Sequence, residues 1–126
     1  MRVLCAILFL ISLSGFATAQ PYRQLSSEDF QGRPESDGAT VAATACFIDL
    51  KYDVHARNGY YQLAFYVTLE LNREKSWIDR SRVNNPAMLA EILKHEQGHY
   101  TINYFEQQEL LRTFAKTRFD ENIKRK

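Results

Sequence analysis

His95-Glu96-Gln97-Gly98-His99 is the segment whose residue types and spacing could do chemistry. Two histidines four positions apart fall on one face of an α-helix, about 6 Å apart along its axis, where both imidazoles can grip one ion. Zinc is the ion that this donor type and spacing suit best. Glu96 projects about 100° away from His95, near enough to reach a zinc-bound water rather than the ion. Zinc lowers the pKa of such a water towards neutrality, so a neighbouring carboxylate can take its proton during attack on a carbonyl. The pattern therefore predicts His95 and His99 as metal ligands and Glu96 as a general base of hydrolysis.

The motif needs a helix, and the sequence around it supplies one. Asn84-Asn85-Pro86 combines a favoured N-cap with a proline suited to the first helical turn. At 100° per residue, Leu89, Ile92, Leu93, Tyr100, Tyr104, Leu110, Leu111 and Phe114 share one stripe. Glu96, Asn103 and Gln107 fall within it. An acid at the centre of an apolar stripe costs several kcal/mol unless something compensates it, and a metal site is such a compensation. A helix over 86–114 would be about 44 Å long, against a radius of gyration near 13 Å for a compact domain of this size. Periodicity predicts one helix, but compactness predicts a break near Thr101–Asn103 or soon after. Gly98 weakens a helix by about 1 kcal/mol, which close backbone packing against a neighbouring strand would explain.

Two strands precede the helix. Cys46, Ile48, Leu50 and Tyr52 alternate with Phe47, Asp49, Lys51 and Asp53. Leu63, Phe65, Val67, Leu69 and Leu71 alternate with Gln62, Ala64, Tyr66, Thr68 and Glu70. Asn58-Gly59 between them tolerates positive φ and predicts the turn of an antiparallel hairpin. The expected fold class is α+β: a hairpin or small sheet packed on the helix that carries the motif, followed by a further C-terminal helix or helix extension.

The chain has 126 residues, with 16 Lys+Arg against 15 Asp+Glu. That balance argues against a nucleic-acid binder. Met1-Arg2, an apolar run from Val3 to Phe16 and Ala17-Thr18-Ala19 have the order of a cleavable export signal. The run of about 14 residues is shorter than the roughly 20 that a spanning helix needs. We therefore expect a signal peptide over 1–19, a single domain over 20–126, no membrane span after cleavage, and a secreted or periplasmic location. Cleavage leaves Cys46 as the single cysteine, so the mature domain has no internal disulfide and relies on its core or on a metal.

Three segments together resemble a bacterial family of uncharacterised exported domains predicted to be zinc-dependent proteases. They are Leu25-x-x-x-Asp29-Phe30-x-Gly32, Lys75-Ser76-Trp77 and Leu93-x-His95-Glu96-Gln97-Gly98-His99-Tyr100. The resemblance implies zinc on His95 and His99, with Glu96 as the catalytic acid/base and a peptide or protein as substrate. The family commonly carries an acid a few positions after the second histidine. Here Thr101, Ile102, Asn103 and Tyr104 occupy that stretch. Candidates for a third ligand are therefore Glu106, reachable only if the helix breaks, Glu109, Asp120 or Glu121 from a second helix folded back, or His55 from the hairpin. Trp77 reads as a core or cleft-wall anchor, Cys46 as a small buried strand residue, and Tyr60 and Tyr61 as strand tyrosines beside the turn. The alternative to a peptidase is a catalytically silent, zinc-stabilised interaction domain.

Overall fold

The computed structural model describes residues 20–35, 38–57 and 60–116. The expected signal peptide, the Asn58-Gly59 turn, and Asp120 and Glu121 lie outside them. The chain is α+β. Strand β1 (Ala42–Ala43) pairs antiparallel with β4 (Trp77–Ile78), and β2 (Cys46–Arg57) pairs antiparallel with β3 (Tyr60–Leu71). Helix α1 (Pro86–Lys116) closes the described part.

The hairpin forms where the alternation places it and runs further towards its turn. Its register is continuous from Cys46↔Leu71 to Arg57↔Tyr60. One face carries Cys46, Ile48, Leu50, Tyr52 and Val54 beside Leu71, Leu69, Val67, Phe65 and Leu63. This is the face turned to α1: Cys46, Ile48 and Leu71 pack on the same cluster as Leu89, Ile92 and Leu93 of the helix. Further along, the Phe65 and Phe114 rings stack at 4.4 Å. The opposite face carries Phe47, Asp49, Lys51, Asp53 and His55.

Helix α1 begins as its sequence dictates. Asn85 accepts a hydrogen bond from Met88 N through Oδ1 at 2.8 Å, which is the N-cap bond, and Pro86 takes the first helical position. It then runs unbroken for 31 residues, so the expected break near Thr101–Asn103 does not occur. The residues placed at the break turn their polar groups back onto the helix. Thr101 Oγ1 donates to Gln97 O at 2.7 Å and Asn103 Nδ2 donates to His99 O at 2.9 Å. The length is accommodated because the partner is long too. Each strand of the hairpin has 12 residues, about 40 Å at 3.3 Å per residue, and the helix lies along it.

The two other resembling segments are architectural. Asp29, 2% exposed, pairs with Arg23 and with Arg73 at 3.4 Å, and accepts from Ser26 N at 2.9 Å. Gly32 N donates to Ser76 O at 2.7 Å, in a space so tight that a Cβ on Gly32 would lie 2.6 Å from Glu74 O. Ser76, fully buried, donates to Asn72 O at 2.7 Å and accepts from Ala45 N at 3.0 Å. Trp77 and Ile78 are buried next to it, so the core reading of Trp77 is the observed one. These bonds fasten residues 25–32 and the strand after the hairpin to each other, beneath the helix.

Candidate metal centre

His95 and His99 project from one flank of α1, both exposed, with their Nε2 atoms 3.2 Å apart. Two nitrogens bound to one tetrahedral zinc at about 2.05 Å would be about 3.3 Å apart, so the pair has the spacing that such an ion requires. The rings are nearly perpendicular, at 80°. A carboxylate oxygen of Glu96 completes the group, and the three donor atoms all lie within 4.8 Å of one another. Nitrogen, nitrogen and oxygen are a donor set that suits zinc.

The group is asymmetric in its burial. Glu96 is 3% exposed, and its Oε2 accepts a 2.6 Å hydrogen bond from Thr44 Oγ1 in the link between β1 and β2. The neighbouring Gln97, also buried, points to the other flank. It accepts from Leu25 N at 2.7 Å and donates to Arg23 O at 3.0 Å and Tyr22 Oη at 2.7 Å. The central residues of the motif thus anchor the helix on both sides, to β1–β2 through Glu96 and to the N-terminal segment through Gln97. An open cleft of about 420 Å³ lies against His95 and Glu96, walled by Val41, Ala42, Met88 and Ile92, with Glu91 and Thr40 also lining it.

His95, Glu96 and His99 are brought together as their spacing predicts. The other ligand candidates among the described residues are not brought to them. Glu106 and Glu109 continue along the same unbroken helix, Glu106 about 10 Å along the axis from His99. His55 belongs to the face of β2 turned away from α1. Asp120 and Glu121 are not described. Sequence reasoning missed Thr44, for which there is no local signal, and Glu91, whose place one helical repeat before His95 could have found it. Burial pushes the Cys46 thiol and the Tyr100 phenol up from their usual ranges, which favours the protonated form of each.

Gly98 corrects a second expectation. Nothing lies within 4 Å of the position a Cβ would take, so close packing against a strand does not account for it. Gly98→Ala should therefore stabilise the fold by about 0.5–1 kcal/mol, the ordinary helix-propensity gain. Gly32→Ala should destabilise it by about 1–3 kcal/mol, because backbone oxygens must move. Thermal melting of the two variants checks both signs; a Gly98→Ala protein that melts below wild type would contradict the open space seen there.

Comparison with protein-family models, with curated proteins and with solved structures finds no match for this chain. What fold and site define together is an α+β chain with a His–Glu–His group on the flank of its long helix, a group able to hold a metal ion.

Proposed function

We propose that the chain is an exported zinc-dependent peptidase of the HExxH type. The observation that carries this reading is the convergence of the His95 and His99 Nε2 atoms at 3.2 Å beside a buried, hydrogen-bonded carboxylate. His95 and His99 would hold the zinc. When bound, zinc supplies a Lewis acid that polarises the scissile carbonyl and acidifies water.

The remaining chemistry belongs to the chain's own residues. Glu96 takes the proton of the attacking water and hands it to the leaving amine. Thr44 holds Oε2 in place, which leaves the other carboxylate oxygen for that proton. An extended substrate has a strand to lie along. Val41 O accepts from Asp79 N, so residues 41 and 43 bond towards β4, and Ala42 turns its N–H and C=O the other way, at the cleft that it lines. The apolar wall of Val41, Met88 and Ile92 suits an aliphatic substrate side chain. Export rests on the order of charge, apolar run and small residues in 1–19. Among the described residues no helix is long and apolar enough to cross a membrane.

The Thr44 bond also ties Glu96 to the fold, and this favours the second reading, a silent zinc-stabilised domain. Two measurements on purified mature protein separate the readings. About one zinc per chain together with cleavage of a mixed peptide library supports the peptidase. Zinc without cleavage supports the silent domain, and no zinc overturns both.

A further inference from the structure

The hairpin has two outer edges, and they differ. Asn72 N donates to Ala45 O at 2.8 Å, which sets the phase of the ladder. Residues 47, 49, 51, 53 and 55 of β2 exchange bonds with β3, while Ile48, Leu50, Tyr52 and Val54 turn their N–H and C=O groups outward. On β3 both outward groups of Leu69 and the carbonyl of Val67 are closed by side-chain amides. Gln20 donates to Leu69 O at 2.9 Å and accepts from Leu69 N at 2.8 Å, and Gln107 Nε2 donates to Val67 O at 2.9 Å. On β2, no strand or side chain among the described residues closes the outward groups of Leu50, Tyr52 and Val54. Their side chains are bare as well: Leu50 is 46%, Tyr52 63% and Val54 53% exposed. A long apolar edge of this kind is a template for another strand.

The charges on the outer face of β2 say which strand. We propose that β2 pairs antiparallel with β2 of a second copy, about a two-fold axis at Tyr52. In this register Lys51 lies opposite Asp53 of the second copy, and Asp49 lies opposite His55, whose ring N–H can donate to a carboxylate. The symmetry repeats both pairs. On the inner face Leu50 meets Val54 and Tyr52 meets its own copy. Shifting the axis to residue 51 sets Lys51 against Lys51 and Asp49 against Asp53; shifting it to residue 53 sets Asp53 against Asp53. An axis at Leu50 leaves Asp53 opposite Phe47, and one at Val54 sets Lys51 against Arg57. The Tyr52 register alone among these five gives each of the four polar residues a complementary partner. Lys51 already lies 3.0 Å from Asp49 on its own strand, so the dimer extends that pair into a ladder of alternating sign. Two two-stranded hairpins become one four-stranded sheet. The contact is isologous and closes on itself, so it ends at two copies.

Sedimentation of the mature protein tests this without any metal or peptidase readout. Wild type should sediment as a dimer. Lys51→Glu and Asp53→Lys each set like charges opposite one another twice and should each weaken dimerisation by about tenfold or more. Mixed together, these two variants restore both pairs and should form a heterodimer. All the positions changed are exposed, and circular dichroism confirms that the variants fold. A wild type that stays monomeric at its highest soluble concentration overturns the proposal. So does a dimer indifferent to Lys51→Glu, or a mixture that does not associate.

Discussion

Glu96→Gln should lower peptide hydrolysis by about 10²- to 10⁴-fold, the usual contribution of general acid–base help, while zinc content and melting temperature stay near those of wild type. The structure gives a reason to expect so clean a separation. The amide keeps the size of the carboxylate, and its oxygen can still accept the Thr44 hydroxyl that holds Glu96 at 2.6 Å. What it loses is the capacity to take a proton. Both the peptidase assay and the melting curve belong on one preparation. If Glu96 serves only to complete the fold, activity is absent throughout and the substitution moves stability alone. Full activity in the Gln variant would exclude the mechanism.

His95→Ala and His99→Ala should each remove most of the bound zinc. Both imidazoles are exposed, so truncating them takes away little packing. Each variant should therefore melt where chelated wild type melts, and the zinc-dependent part of the stability should vanish. That part is about 2.7 kcal/mol when free zinc stands at a hundred times its Kd. Metal analysis with melting in the presence and absence of a chelator reads both effects. Unchanged stoichiometry in both variants would refute the assignment of the ligands.

The parts of this molecule that could be read from its sequence are those governed by a period. The i, i+4 spacing of His95 and His99 put them on one flank, alternation placed the hairpin, and Asn85-Pro86 marked the start of α1. The break expected at Thr101–Asn103 failed because it treated the helix as if it had to fit inside a small sphere. A hairpin of matching length lies along α1, and Thr101 and Asn103 bond to their own helix. The two-residue strands β1 and β4 are too short for any pattern to show. Thr44 was not visible because its contact with Glu96 joins residues 52 positions apart. Gln107 reads as an interruption of the apolar stripe, yet it fastens the helix to Val67, as Gln97 fastens it to Leu25.

Those fastenings bear on the order in which the protein can be finished. Tyr22, Arg23 and Leu25 emerge during synthesis well before their partner Gln97, which comes 72 to 75 positions later. Gln20 waits longer still, for Gln107, 87 positions on. Contacts of such separation form slowly, because a long loop must close before they return anything. Glu96 cannot take its place against Thr44 until the same late stretch of chain is free to dock. Whatever the His95–Glu96–His99 group does, it comes into being only after residues 96–107 have closed on the segment that runs from Gln20 to Thr44.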